Sequence, residues 1–385
     1  MLGRDGFDRI GAKMTGTRPR VALLAAPETS ASILYGLYDV LLSVGATFPD
    51  MTIGEPGDAL LDVLIVAAAG KPFRCFGNVL IEPHAALTDV KQVDVAIVCD
   101  FYTPIDTAPR GRYDVEMDWL RRMHRQGTLI ASVCSGSILL AESGLLDGRS
   151  CASHWAYREL FRTAYPQIDF QPNSILDLAS EADGLITAGG VTAWQDLALH
   201  VIARLCGPED ASRTAKVFLL AGHEDGQLPF SAMQRSPRTG DAVIRDCLAW
   251  IAHRYATSNP VAAMAERSGL TARTFARRFA AATGQRPIEY VHALRIEAAR
   301  QIIESGVGLI EDVGPHVGYE DPTFFRRLFR RTTGVTPASY RRKYAPIVAG
   351  QYRRVDHAKA RQERISDPCR GRVPLAGCRA PPKIR

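Results

Sequence analysis

A short pattern near the C-terminal end of this 385-residue chain occurs twice, and the two copies lie 50 residues apart. Seven positions match without a gap, first at Phe275, Arg277, Phe279, Thr283, Gly284, Pro287 and Tyr290, and again at Phe325, Arg327, Phe329, Thr333, Gly334, Pro337 and Tyr340. Each copy of an internal repeat usually forms one structural unit. A glycine, Gly269 or Gly318, precedes each copy where a tight turn would need a positive φ. The repeat therefore predicts two helix-turn-helix units.

The paired phenylalanines indicate which side of each second helix would contact DNA. Side chains four residues apart share one helix face, and we assign that face to the protein core. The other face would meet base edges in the major groove, where an arginine can donate twice to guanine. We predict DNA contacts at Thr271, Arg273, Thr274, Arg277 and Arg278 in the first unit and at Thr323, Arg326, Arg327 and Arg330 in the second. Thr271, Arg278 and Arg330 from this set, together with Arg331, are assigned to phosphates, which add affinity without sequence information.

The charge of the chain is unevenly distributed. Residues 241–344 contain 16 Lys and Arg against 10 Asp and Glu, and residues 345–385 contain 10 against 3. The rest of the chain has an excess of acidic residues. An acidic body joined to a basic end indicates a polyanionic partner at that end. A solvated arginine-rich surface would explain the charge equally well, and it is the repeat that favours DNA.

These C-terminal motifs resemble the AraC/XylS family of bacterial transcription regulators over about residues 240–344. The resemblance includes Leu294-Arg295 and Ala298-Ala299 between the two copies, and it implies two recognition helices in adjacent major grooves. By position, it implies base-reading roles at Arg273, Ala276, Arg277, Pro322, Thr323 and Arg327. Ala276 departs from the family pattern because it offers only an apolar contact. Gly314-Pro315 interrupts the supporting helix of the second unit, so we expect that helix to start late.

The first half of the chain alternates short aliphatic runs with amphipathic stretches. Five runs predict buried strands, at Val21–Ala26, Asp62–Ala68, Val93–Cys99, Thr128–Val133 and Gly184–Ala188. Strands alternating with helices indicate a layered α/β domain with a mostly parallel sheet, in a flavodoxin-like arrangement. From Asp241 onward strand signals disappear, which predicts an all-α C-terminal domain.

Composition divides the chain into five parts: a disordered leader at 1–19, an α/β sensing domain at 20–225, a linker at 226–240, a DNA-binding domain at 241–344 and a disordered basic tail at 345–385. No apolar run approaches the ~20 residues of a membrane span, and the leader lacks the apolar stretch of a secretory signal. We therefore expect a cytoplasmic protein without a membrane partner. The cysteines and histidines lack metal-ligand spacing, so we expect neither a metal nor a cofactor.

Cys134 follows a predicted strand and opens a predicted helix in the segment Ala131–Gly136. A sharp turn of this kind exposes a reactive side chain, and His154, 20 residues further on, could act as its base. This segment and Thr187–Gly190 are similar to the class I glutamine amidotransferase-like superfamily, which includes intracellular proteases, over about residues 20–225. The resemblance implies that this domain senses small molecules in one branch of AraC-type regulators.

Enzymes of that superfamily commonly add an acidic residue from the helix after the first strand. The matching position here falls at or beside Ile33, where neither Ile33 nor Ser32 is a carboxylate, and Glu28 lies upstream. We therefore assign no catalytic residue and interpret Cys134 and His154 as vestigial or ligand-pocket residues.

The combined patterns predict a sequence-specific transcription regulator that is not an enzyme. Its expected partners are double-stranded operator or promoter DNA, an unknown small-molecule effector and, by the family resemblance, a second copy of the chain in a homodimer. RNA polymerase is a further candidate partner. One alternative is a cysteine-dependent hydrolase or amidase fused to a DNA-binding domain, and another is a redox sensor based on the Cys134 thiol.

Overall fold

The structure is a computed structural model that describes residues 18–223, 225–231 and 239–348. The main division between its two compact units falls between Gly240 and Asp241. Most of the predicted leader, the middle of the predicted linker and most of the predicted tail lie outside the described residues.

The first unit is built on a seven-stranded sheet with the strand order β10-β11-β7-β6-β1-β2-β5. The strands of this unit are β1 Arg20–Leu24, β2 Asp62–Ala67, β3 Phe73–Arg74, β4 Leu80–Ile81, β5 Ala85–Ala86, β6 Val95–Val98, β7 Leu129–Val133, β8 Ser150–Cys151, β9 Asp169–Phe170, β10 Leu176–Asp177 and β11 Leu185–Ala188. Strands β3 and β4 form one separate two-stranded sheet, and β8 and β9 form another. All five predicted strands occur in the seven-stranded sheet, and their neighbours pair in parallel. Within the described residues of that sheet, only β10 runs antiparallel to its neighbour, β11.

Helices cover both faces of the sheet: α1 Ala31–Leu42, α2 Thr47–Ile53, α3 Asp114–Arg125, α4 Gly136–Glu142, α5 Arg158–Ala164, α6 Trp194–Cys206 and α7 Pro208–Phe218. Alternate residues of β1 enter two different cores. Leu23 packs in the core that contains Leu37 of α1, and Leu24 packs in the one that contains Leu120 of α3. Burial on both sides explains why the parallel strands read as continuous aliphatic runs.

From Asp241 onward the regular structure of the described residues is helical: α8 Ala242–Ala252, α9 Pro260–Arg267, α10 Ala272–Thr283, α11 Pro287–Glu304, α12 Ile310–His316, α13 Pro322–Thr333 and α14 Pro337–Val348. The helix pairs α9–α10 and α12–α13 occupy the positions of the two predicted helix-turn-helix units. The long helix α11 joins them in sequence.

The expected late start of the supporting helix of the second unit was wrong. Helix α12 begins at Ile310 and includes Pro315 as its penultimate residue. Because the proline lies in the last turn, its missing N–H costs one backbone hydrogen bond at the end of the helix and leaves the start intact. The full supporting helix is therefore present.

Among the described residues no single helix is long and apolar enough to cross a membrane. Helices α1 and α2 together meet that length and composition, but the chain bends by 62° between them.

Candidate DNA interface and sensory site

Helix α10 is the predicted recognition helix of the first helix-turn-helix unit, and we call it and its counterpart α13 the two reading helices. Helix α10 begins with a side-chain cap. Thr271 occupies the N-cap position, and its Oγ1 accepts a hydrogen bond from the backbone N–H of Thr274 at 3.4 Å. Phe275 and Phe279 are fully buried, as the repeat predicted. The opposite face is exposed and presents Arg273, Ala276, Arg277 and Arg278, while Thr274 is half-buried. The helix thus separates a core face from a cationic face.

The second reading helix, α13, has the same two faces but a different cap. The carboxylate of Asp321 accepts a hydrogen bond from the N–H of Thr323 at 2.8 Å. Phe325 and Phe329 are buried. The predicted contact residues are all exposed, at Thr323, Arg326, Arg327 and Arg330. The sequence analysis did not single out Asp321, although an Asp directly before a proline is a typical start of a helix.

Arg278 has a partner inside the protein. Its guanidinium donates to both carboxylate oxygens of Asp241, which also caps helix α8 by accepting from Val243 and Ile244. The Arg278 hydrogen bond lowers the pKa of the Asp241 carboxyl. The phosphate contact assigned to Arg278 stays a prediction, and it would have to compete with this ion pair.

Arg295 joins the turn of the second helix-turn-helix unit to the segment before the first unit through backbone carbonyls. Its side chain donates to the carbonyl oxygens of Tyr255 at 2.7 Å, Thr257 at 2.9 Å and Gly318 at 2.8 Å. Tyr255 and Thr257 lie between α8 and α9, whereas Gly318 lies in the turn between α12 and α13. The residue is only 7% exposed. Sequence reasoning placed Arg295 in a family motif, but this role depends on carbonyls that are far away in the chain.

Cys134 lies in the sharp turn between β7 and α4 with a φ of 54°, which is uncommon for a residue other than glycine. Its N–H donates to the carbonyl of Ala188 at 2.7 Å, and its own carbonyl accepts from Ser153 Oγ at 2.8 Å. Backbone strain of this kind is concentrated at active sites and ligand sites.

Cys134 is buried, and burial opposes ionisation of its thiol. Burial raises its pKa well above the usual range, and the negative charge of Asp100 raises it further. The carboxylate of Asp100 accepts a hydrogen bond from Ser135 Oγ next to the turn. A thiol that stays protonated is a poor nucleophile.

The hydrogen bond found at the His154 imidazole leads to the backbone and not to Cys134. His154 Nδ1 accepts a hydrogen bond from the N–H of Ala156 at 3.2 Å, and no hydrogen bond among the described residues joins the imidazole to the thiol. Burial lowers the pKa of the imidazole, and Asp100 partly opposes that effect. The upstream carboxylate of Glu28 is bound elsewhere, by Arg112 and by the hydroxyl of Tyr113.

The described part of the first unit also contains a cavity of about 270 Å³. It lies between the end of α1, helix α2 and helix α7, where Phe48, Leu60 and Arg213 contribute to its lining. This cavity does not include Cys134 or His154. No group of His, Cys, Asp and Glu side chains in the described ranges has an arrangement that could hold a metal ion.

Each of the two parts of the chain matches a known domain or family model. A helix-turn-helix domain model matches residues 264–343, and the DJ-1/PfpI family model matches residues 38–204. The chain is 28% identical over 281 residues to the HTH-type transcriptional regulator CdhR of Pseudomonas aeruginosa. The aligned region covers 72% of this chain and 80% of CdhR. It is also 28% identical over 192 residues to isonitrile hydratase of Pseudomonas putida, covering 50% of this chain and 74% of that enzyme. The crystal structure of Drosophila melanogaster DJ-1beta covers 54% of this chain and all of that chain, at 21% identity and a TM-score of 0.44.

The fold and these matches define a DNA-binding transcription regulator in which a DJ-1/PfpI-type α/β domain precedes two helix-turn-helix units. The chain therefore combines a DJ-1/PfpI domain with an AraC-type helix-turn-helix domain. The predicted family, fold class and regulatory function are confirmed.

Proposed function

We propose that a small-molecule effector binds beside Cys134 and His154 and controls how the two reading helices engage operator DNA. The observation that carries this proposal is the state of Cys134, a strained residue that is only 4% exposed and whose thiol has a raised pKa. A strained backbone at Cys134 together with a thiol of raised pKa is more typical of a ligand-binding site than of a catalytic nucleophile. An effector acts here through its affinity difference between two states of the regulator.

On the DNA side, we propose that the exposed faces of α10 and α13 read bases. The proposed base contacts are Arg273, Thr274, Arg277, Thr323, Arg326 and Arg327, and the proposed phosphate contacts are Thr271, Arg278 and Arg330. Arginine and threonine side chains on one helix face can combine base readout with charge neutralisation of the backbone. Footprinting of a duplex selected by the full chain from a random pool tests this interface.

We also propose that two copies of the chain act together and that DNA-bound copies contact RNA polymerase. A homodimer would present four reading helices, which would match a longer operator and raise the total affinity. Analytical ultracentrifugation of the full chain tests the pairing. A single species of 42.1 kDa at micromolar concentration without DNA, together with one chain per duplex when the selected duplex is added, would contradict it.

The effector proposal is tested with Cys134→Ala. A panel of small metabolites is screened by thermal denaturation of the full chain, and hits are tested for a change in affinity for the selected duplex. We expect Cys134→Ala to weaken the hit while leaving DNA binding without the hit unchanged. A hit that acts equally on the parent and the variant would place the effector site elsewhere, for example in the cavity beside Phe48.

The alternative of a cysteine-dependent hydrolase rests on the same strained turn. Its probes are glutamine and cyclohexyl isocyanide, added to the parent chain and to Cys134→Ala. We expect turnover in neither case, because the thiol is protonated and His154 is bonded to the backbone. Turnover by the parent that is lost in the variant would instead establish an enzyme.

The redox-sensor alternative depends on how fast the Cys134 thiol reacts. Iodoacetamide labelling followed by mass spectrometry compares Cys134 with Cys206, which is half-buried. Burial raises the pKa of both thiols, to about 11 for Cys206 and further for Cys134. We expect Cys206 to be labelled first, and faster labelling of Cys134 would favour the sensor.

A further inference from the structure

Gln227 begins the segment that leads from the first unit towards Asp241, yet it is only 3% exposed. Both polar atoms of its carboxamide form hydrogen bonds. Nε2 donates to the carbonyls of Ser153 at 2.8 Å and Ser174 at 2.9 Å, and Oε1 accepts from the N–H of Trp155 at 3.2 Å. A residue predicted to belong to a free linker is therefore bound inside the sensory domain.

The site that receives Gln227 is shaped for it. A Cβ atom added at Gly189 would lie 2.1 Å from Nε2 of Gln227 and 2.5 Å from the carbonyl oxygen of Ser174, so only glycine leaves room for the carboxamide. The backbone is held as well. The N–H groups of Gln227 and Leu228 donate to the carbonyl and the side-chain oxygen of Asn173, at 3.1 Å and 3.0 Å.

This carboxamide site is continuous with the strained turn at Cys134. Ser153 uses its carbonyl to bind Gln227 and its hydroxyl to bind the carbonyl of Cys134. On the other side, the N–H of Cys134 donates to Ala188, the residue before Gly189. His154 lies in sequence between Ser153 and Trp155, the two residues whose backbones hold the carboxamide. A ligand beside Cys134 and His154 would therefore contact the groups that hold Gln227.

We propose that Gln227 is an internal ligand of the sensory site and that the effector replaces it. The site offers two carbonyl acceptors and one N–H donor, which is the complement of a primary carboxamide or a urea group. An effector that carries such a group would expel Gln227 and release the segment that leads to the DNA-binding unit. This inference rests on the proposed control by a small molecule, and it adds the effector class and the element that moves.

The first experiment measures backbone hydrogen exchange of residues 225–231 in the full chain, without DNA or additives. In Gln227→Glu a carboxylate would face two carbonyl oxygens and could donate to neither, so we expect at least a tenfold faster exchange of the Gln227 and Leu228 amides. Gln227→Met, which keeps the volume and removes all three hydrogen bonds, serves if the charged variant fails to fold. The matched control is Gln171→Glu, a nearby residue whose side chain donates to Asp169. Unchanged exchange in folded Gln227 variants, or equal acceleration in the control, would overturn the proposal.

The second experiment tests the ligand class by rescue. Gln227→Ala removes the side chain beyond Cβ, and acetamide has the same heavy atoms as the part that is lost. We expect millimolar acetamide to raise the Tm of Gln227→Ala and to slow its exchange, with no such effect on Gln171→Glu. Acetate has the same shape but lacks the N–H donors. Rescue by acetate to the same extent, or by neither compound, would overturn the carboxamide assignment.

A third measurement separates this inference from the proposed function. The affinity for the selected duplex is compared between the parent and Gln227→Glu, and we expect at least a threefold change. No change in affinity, with an effector still acting through Cys134, would overturn the role of Gln227 and leave small-molecule control intact. A changed affinity without any effector in the panel would support Gln227 and count against the proposed sensory function.

Discussion

The two helix-turn-helix units share a sequence motif but differ in how their turns are held. Gly269 in the first turn has a φ of 67°, and a Cβ added there would meet nothing within 4 Å. Gly318 in the second turn has a φ of 93°, and a Cβ there would lie 2.7 Å from the carbonyl oxygen of Ala256 and 2.9 Å from Cζ of Arg295. The first glycine meets only a backbone requirement. The second also makes a close packing contact with a neighbouring segment.

The two copies of the repeat are therefore similar in sequence but differ in how tightly their turns are packed. The second turn is clamped by Arg295 against the chain that precedes α9, whereas the first turn is open. Arg295 therefore fixes the second turn to the segment that precedes α9. Changes at the two turns should have unequal effects, which can be measured.

The largest effect is expected from Arg295→Met. The substitution leaves the carbonyls of Tyr255, Thr257 and Gly318 without their donor, and we expect a loss of about 3–5 kcal/mol in the free energy of unfolding. Urea unfolding of the full chain measures it. The control is Arg267→Met, because Arg267 forms an exposed ion pair with Asp246, whose loss costs about 0–1 kcal/mol. Equal losses for the two variants would show that Arg295 does not clamp the turn.

The two turn glycines provide the next comparison. Gly318→Ala combines a strained φ with a backbone clash, so we expect a loss of about 2–4 kcal/mol. Gly269→Ala only places an alanine at a positive φ, so we expect a loss of about 1 kcal/mol in the free energy of unfolding. The same unfolding measurement compares them. A loss for Gly269→Ala as large as that for Gly318→Ala would contradict the asymmetry of the turns.

Arg277 and Arg327 occupy equivalent positions of the two reading helices, and each is changed to Ala in turn. If Arg277 contacts a guanine through both terminal nitrogens, its loss costs about 1–3 kcal/mol of discrimination between the selected duplex and random DNA. Competition binding at fixed salt measures this difference. Equal weakening on both duplexes would mark the residue as a phosphate contact. The comparison with Arg327 shows whether both helices contribute to specificity.

The smallest effects are expected at the helix caps. Asp321 accepts its hydrogen bond at 2.8 Å with a full negative charge, whereas Thr271 accepts at 3.4 Å with a neutral hydroxyl. We expect Asp321→Ala to cost about 1–2 kcal/mol and Thr271→Ala about 0.5–1 kcal/mol. Both are measured by urea unfolding without DNA, which keeps contacts to phosphates out of the result. A larger loss for Thr271→Ala than for Asp321→Ala would show that the length and charge of the capping hydrogen bond do not determine its contribution to stability.

Local patterns predicted the fold well because they depend on neighbouring residues. The aliphatic runs around Val21 and Val95 predicted parallel strands, and the spacing of Phe275 and Phe279 predicted a buried helix face. The effect of Pro315 was misjudged, because its cost depends on its position relative to the end of a helix, and that end was not visible in the pattern. The two-residue strands β5 and β10 were too short to leave a periodic signal.

The sequence by itself determined the two reading helices, their exposed arginines and the strand–turn–helix that carries Cys134, since each depends on residues a few positions apart. Only the tertiary structure decided that Arg295 clamps the second turn, that Asp100 lies beside the thiol, and that Gln227 is bound at Gly189. Those contacts join residues 23 to 74 positions apart. Which groups meet across such separations is fixed by the packing of strands and helices, and no local periodicity records it.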